Sequence, residues 1–416
     1  MSAGVNRPVT LFMLHSGIYY FGLMGIPDVL LNFYFVSLGY GSETIGLLQS
    51  LPRIGGLLTG LPIGLYADRI GPRRIIFFST IGVAASLLMV ALFPSLGMLG
   101  VSRFLLGMFY GAGQIALAPF MTMLARQDRQ IRLYSVHNIV SMGTAALGSF
   151  AGGYVPVVMV ALFPAAVAVS AGAPEQSSFA YGAGLALSAL LVFASLLPLL
   201  GVRDHELPIP PSPVREQRRL DSFPWRRLIW LGFPLLLFGF SGGLTFPFYN
   251  LFFRTVFAVD DVTVGTILGI GWVGMALVPM LNPFWERRFG RVRAIGITLG
   301  TAAAAFFVLS IAPTLTLALI AYALAISTRN TMQPLFQPLV MDTLPEHERA
   351  LTSSVGFVQW NIGWFAATSI SGVWQATLGF GFIMQVVALC VLLTALLVLF
   401  IFQREGRRET LHEPAH

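Results

Sequence analysis

Long apolar stretches alternate with short polar breaks along almost the whole chain. A helix needs about 20 mostly apolar residues to cross about 30 Å of hydrocarbon. Cut at its polar breaks, the sequence holds twelve stretches of that length, at approximately 9–38, 44–66, 75–95, 98–124, 135–160, 180–202, 227–254, 262–284, 294–312, 315–341, 351–375 and 379–402. The first is too long for a signal peptide and lacks a small-residue cleavage site, so it is expected to be the first membrane helix. The pattern predicts an all-α integral membrane protein with twelve transmembrane helices.

Composition agrees. Of 416 residues, 56% are hydrophobic and 10% charged, where soluble domains carry roughly a quarter charged. That excludes a cytosolic enzyme and a nucleic-acid binder, despite a formal charge of +7. It excludes a disordered chain as well. Cys390 is the one cysteine, so neither a disulfide nor a cysteine metal site forms within one chain. No metal or other cofactor is expected.

All 25 basic residues are arginine. With the N-terminus placed in the cytoplasm, 21 of them fall in loops and tails on that side and none in the opposite loops. The other four, Arg53, Arg103, Arg254 and Arg329, lie within or at the ends of spans. Positive residues collect on the cytoplasmic side, which places both termini inside a cell membrane.

The long polar segment in mid-chain divides it into an N-terminal six-helix half (1–202), a cytoplasmic linker (203–226), a C-terminal half (227–402) and a cytoplasmic tail (403–416). The linker's prolines, 208, 210, 211 and 213, precede Arg215, Arg218 and Arg219, a composition that reads as extended and solvated. The halves repeat. At an offset of 219, Gly46 falls on Gly265, Gly55 on Gly274, Gly71 on Gly290, Gln114 on Gln333 and Pro119 on Pro338; at 218, Asn32 falls on Asn250. Parallel repeats of this kind resemble those of a major-facilitator transporter.

Three motifs carry the same resemblance. Between spans 2 and 3 stand Gly64, Asp68, Arg69, Gly71, Arg73 and Arg74, arranged as in the signature loop of the major facilitator superfamily. The glycines allow close packing and a tight reversal, and a carboxylate is favoured at a helix N-terminus. The resemblance implies a cytoplasmic latch formed by this loop, with helix 11 near Thr352 and Ser353 as partner. The second-half copy, Trp285 to Arg291, is degenerate, with Glu286 displaced by one residue. In span 4, Arg103 precedes Gly107 and Gly111, similar to the family's helix 4 motif, and glycines four apart form a stripe for close helix approach. In span 5, Gly148, Gly152 and Gly153 stand as in the family's antiporter motif, but Ser149 replaces its proline.

Ionisable groups within spans mark cavities or partners. Asp28 and Asn32, four residues apart, share a face of helix 1. Asp28 and Arg53 both lie about 15 Å from the outer ends of their helices at 1.5 Å per residue. They are expected to pair, either as a static ion pair or as a proton-coupling site in which protonation of Asp28 releases Arg53. Arg329 is near mid-membrane with Asn330 and Gln333. Its charge calls for an anionic substrate group, backbone carbonyls at helix breaks near Pro334 and Pro338, or Asp28 across the cavity. Asn32, Arg103, Gln114, Asn250, Arg329, Asn330, Gln333, Trp360 and Asn361 are the expected cavity residues. His15 and His137 are expected at solvated helix ends.

The reading is a monomeric secondary transporter in the cytoplasmic membrane, whose partners are the lipid bilayer, a small organic solute or amphipathic drug, and protons, or else Na⁺. The loop and helix 4 motifs resemble efflux members, whereas Ser149 points toward uptake of an anionic or zwitterionic metabolite. A P-loop would need a lysine, so ATP is not expected to drive it. A polytopic enzyme, the alternative of another class, would need a catalytic cluster at a membrane boundary, and the long loops hold none.

Overall fold

The computed structural model describes residues 7–125, 127–169, 177–202, 225–344 and 346–410. Among them every regular element is helical, and each predicted stretch is found as a helix or a broken helix. These are α1 Arg7–Ser37, α2 Ser42–Ile70, α3 Pro72–Leu92, α4 Leu96–Leu124, α5 Gln127–Leu162 and α6 Ser178–Leu200. After the linker come α7 Trp225–Phe257, α8 Asp261–Phe289, α9 Arg291–Ser310, α10 in two pieces (Leu315–Arg329 and Met332–Asp342), α11 Glu346–Thr377 and α12 Gly379–Thr410. Among the described residues nine helices are long and apolar enough to cross a membrane. The other three predicted stretches correspond to α2, α10 and α11.

Proline explains the breaks, because it has no N–H to donate and its ring crowds the carbonyl four residues back. In α1 the turn Phe21–Gly25 is a π-helix in which the N–H of Ile26 reaches back to Phe21. Pro27 follows and has no N–H to give, so the Gly22 carbonyl is left for the hydroxyl of Ser188 on α6. In α7 the 3-10 turn Phe246–Phe248 contains Pro247. Gly243, four residues before that proline, accepts from Thr368 Oγ1 of α11 at 3.0 Å, and Leu244 accepts from Ser371 Oγ at 2.7 Å. Broken helices persist in a membrane only where neighbours re-satisfy the freed carbonyls in this way. In α10, Pro334 sits four residues after Asn330, where the two pieces meet.

The loops repeat as well. Gly71 (φ +87°) and Gly290 (φ +76°), 219 positions apart, separate α2 from α3 and α8 from α9. Both lie in the left-handed region open chiefly to glycine. Asp260, outside the spans, caps α8 by accepting from the Thr263 N–H at 2.8 Å. Hydrogen bonding from Thr263 holds its carboxyl below the usual carboxylate range. The contribution is therefore present above the unfolded-state value and lost as the pH falls through the lower folded one.

The chain divides into two compact units. The first gathers α1–α6 with residues 249–272, and the second holds the rest of α7 and α8 with α9–α12. In the first, α1 packs on α5, α2 on α4 and α3 on α6; in the second, α7 packs on α11 and α9 on α12. The seams are lined with glycine. A Cβ on Gly55 would meet the Met108 nitrogen of α4 at 2.9 Å, and the matching pair in the second unit, Gly274 and Ser327, also touches.

Candidate functional site

Inside the first unit a directed chain of hydrogen bonds crosses four helices. Arg103 Nη2 on α4 donates to Gln49 Oε1 on α2 at 2.5 Å, and its Nε donates to the Leu48 carbonyl at 3.3 Å. Gln49 Nε2 donates to Asn32 Oδ1 on α1 at 2.6 Å. Asn32 Nδ2 donates to Asn250 Oδ1 on α7 at 2.9 Å, and Asn250 Nδ2 donates to the Val29 carbonyl at 3.0 Å. Asn32 and Asn250 are both buried. They are also counterparts in the sequence repeat, so the duplication meets itself in a hydrogen bond. Gln49 escaped the sequence reading; an amide one turn before Arg53 on a membrane helix was its signal. Gln114 Nε2 donates to the Tyr20 hydroxyl at 3.1 Å.

Asp28, one residue after Pro27, is half-buried and accepts from Trp272 Nε1 of α8 at 3.0 Å. No ion pair joins it to Arg53. Equal depth placed the two side chains at one level, but α2 is pressed onto α4, where a Cβ on Gly107 would collide with the Pro52 backbone. Arg53 accordingly shares its surroundings with Tyr110 and Arg103 of α4.

The second acid is locked. Asp261, 7% exposed, forms an ion pair with Arg254 Nη2 and accepts from the Tyr181 hydroxyl of α6 at 3.0 Å. Arg254 Nη1 donates to that same hydroxyl at 3.1 Å, and the guanidinium lies 3.7 Å from the Phe33 ring centroid. Sequence reasoning noted Arg254 only as a span end and missed Tyr181 and Asp261. Removing one partner of a buried pair strands the other. Asp261→Asn is expected to cost about 2 kcal/mol, tempered by the partial exposure of Arg254, and to lower the thermal midpoint in detergent. Arg254→Gln added to it should restore part of the loss; a double variant no better than the single one would sink this account.

In the second unit Arg329 is compensated within the protein. Its Nη2 donates to the Phe238 carbonyl and to Ser241 Oγ (3.1 Å), and the guanidinium sits 3.8 Å from the Phe238 ring centroid. The carbonyl that Arg329 meets lies on α7, not at the α10 breaks near Pro334 and Pro338 where one was expected. Asn330 Nδ2 donates to the Met275 carbonyl at 3.0 Å. Asn361 turns to its own helix, donating to the Phe357 carbonyl at 2.9 Å. Gln333 is exposed. The Trp360 ring lies 5.2 Å from that of Trp364.

The small-residue motifs line close helix approaches. A Cβ on Gly111 would stand 2.9 Å from the Gly56 Cα, one on Gly148 would stand 2.8 Å from the Gly25 Cα, and one on Gly152 would stand 3.2 Å from the Ile26 Cα. On Gly153 it would stand 2.6 Å from the Asp261 carbonyl oxygen. Ser149 Oγ donates to the Gly25 carbonyl at 3.3 Å. The side-chain positions of Gly64, Asp68 and Arg69 lie outside the described residues. Gly71 provides the left-handed turn, Arg73 is half-buried and Arg74 exposed. The Glu286 carboxylate of the degenerate copy accepts from Arg291 Nε at 2.8 Å, and Arg291 also pairs with Asp342 at 2.5 Å. His15 and His137, expected at solvated ends, are buried instead, with 4% and 8% exposure. The helices packed beside them cover both rings, which helix position alone does not reveal.

The chain was compared with known proteins. The sequence model of the Major Facilitator Superfamily matches residues 12–368 and 231–415. The comparison with curated proteins gives no match. A bacterial homologue of the human lysosomal transporter Spinster, in an inward-facing and occupied conformation, is 15% identical with a TM-score of 0.75, over 98% of this chain and 99% of that one. A bacterial homologue of the iron transporter ferroportin, inward-facing, is 14% identical with a TM-score of 0.68, over 95% and 99%. The nucleoside transporter NupG is 18% identical with a TM-score of 0.65, also over 95% and 99%. At these identities the likeness is one of fold.

Proposed function

This chain belongs to the major facilitator superfamily of multi-pass membrane transporters, and from that premise we propose that it exports a small organic solute in exchange for protons. Alternating access would proceed with both termini in the cytoplasm. The observation that carries the reading is the contrast between Asp28 and Asp261. Asp261 is held by a guanidinium and a phenol, so protonating it breaks an ion pair. Asp28 is held by a neutral indole N–H, so it can take a proton and lose only a hydrogen bond. A carboxylate inside a membrane span, partly accessible and bonded to a neutral donor, is suited to exchanging a proton. The ring of amides around Asn32, Gln49 and Asn250 suits hydrogen bonding to a solute or to Na⁺. Arg329, already compensated, supplies no argument for an anionic substrate.

Reconstituted vesicles with an imposed pH gradient test the reading, using a panel of organic cations, zwitterions, anions and neutral amphiphiles. Flux of at least one solute against the direction of proton flow, lost on adding a protonophore, is expected. Flux indifferent to the pH gradient would overturn proton coupling, and a sodium gradient would then be tried in its place. Uptake is the second reading, favoured by Ser149 in place of the antiporter proline; it is distinguished by solute moving with the protons.

A further inference from the structure

Between two apolar clusters of the first unit lies a polar layer that the transport reading does not use. On one side pack Ile75, Phe120, Leu124, Leu133 and Leu199, and on the other Leu23, Val83, Leu87, Leu106 and Val192. Between them is a cavity of about 30 Å³ whose polar lining includes His15, Tyr20, Ser79, Gln114 and His137. That is room for one or two water molecules, and the lining offers the several polar partners that a buried water requires.

One polar atom of the lining lacks a partner: among the described residues, His137 Nε2 on α5 is buried without any hydrogen bond. An orphaned buried acceptor or donor is rare and calls for a ligand. The second histidine is oriented differently. His15 Nδ1 lies 2.8 Å from the Ser195 carbonyl, which can only accept, so Nδ1 carries the hydrogen and Nε2 of the neutral ring is an acceptor. The His137 ring lies parallel to Phe12, at 5.6 Å and 8°, and the face of an aromatic ring attracts a cation.

We propose that this chamber is a proton-binding site separate from Asp28, in which the His137 ring takes the proton and chamber water partners it. The step is a bare protonation: the ring nitrogen that carries no hydrogen in the neutral form accepts H⁺ delivered through the chamber water, and no other bond breaks. Among the described residues, the titratable groups facing the ring are His15, Tyr19 and Tyr20 from α1 and Tyr110 from α4; α3 contributes Ile76, Ser79 and Thr80 to the lining, and none of these described residues is a carboxylate or a guanidinium. The proposal does not depend on which solute moves or in which direction.

Deuterium exchange at the imidazole C2–H, read residue by residue by mass spectrometry on the purified full-length protein, reports protonation of each ring. Across a pH series that starts well below the ordinary histidine range, His137 is expected to show a sigmoid exchange profile. Filling the chamber with Ser79→Leu should slow that exchange at least tenfold. A profile flat with pH would overturn the proposal, and needs no variant to do so. A sigmoid unchanged in folded Ser79→Leu would also overturn it, since the proton would then arrive by another route. Asp28→Asn should leave the His137 profile in place, so failure here and failure of the Asp28 reading are separable.

Discussion

Replacing Asp28 by asparagine is expected to reduce proton-driven flux in vesicles to the level of empty vesicles while leaving the protein folded. Asparagine has nearly the same shape, and its amide oxygen can still accept from Trp272 Nε1, 3.0 Å from the carboxylate in the native chain. Packing around α1 is therefore retained. What disappears is the exchangeable proton, and with it the free energy that a gradient would deliver to one conformation over the other. Exchange of labelled for unlabelled solute, which needs no gradient, should persist. Trp272→Phe is the complementary variant. It removes the neutral donor and keeps the carboxylate, so coupling should survive with an altered pH profile, because a hydrogen bond to the charged form is one of the forces that set where a carboxylate titrates. Gradient-driven flux surviving in Asp28→Asn would remove Asp28 from the mechanism.

Gly148→Leu is expected to be the most damaging packing change. A Cβ there would lie 2.8 Å from the Gly25 Cα, against backbone that cannot swing aside as a side-chain tip can. The opposing segment is the π-turn of α1, whose Gly22 carbonyl already depends on Ser188. Separating α1 from α5 would strip that seam, at a cost of about 3 kcal/mol or more, the upper range for overpacking a well-packed core. Gly143 on the same helix is the control, since a Cβ there meets nothing within 4 Å. Thermal midpoints and monodispersity in detergent should fall sharply for Gly148→Leu and barely for Gly143→Leu. Equal behaviour would mean that the seam is not tight.

Hydropathy along the chain was enough to mark all twelve helices, and the glycine and proline register marked the duplication. These are properties of consecutive residues: an apolar run of sufficient length must be a helix in a bilayer, and Gly71 and Gly290 are legible because only a left-handed turn requires them. The resemblance carried by the loop and helix motifs agreed with the family to which the chain belongs. Residue types at a given depth also brought Asn32, Arg103 and Asn250 forward, and the structure joins them through Gln49.

Pairing was another matter. Depth follows from counting residues at 1.5 Å each, but the rotation of a helix and the identity of its neighbour do not. Asp28 sits level with Arg53 and yet bonds Trp272, 244 positions away in sequence. Arg329 is compensated by a carbonyl of α7, and two histidines that looked solvated are enclosed by neighbouring helices. By itself the sequence determined the class of solvent, the helices and their repeat, because apolar length and backbone freedom are local. Tertiary structure alone decided which acid meets a guanidinium and which meets a neutral indole, because that depends on the azimuth at which separate helices meet.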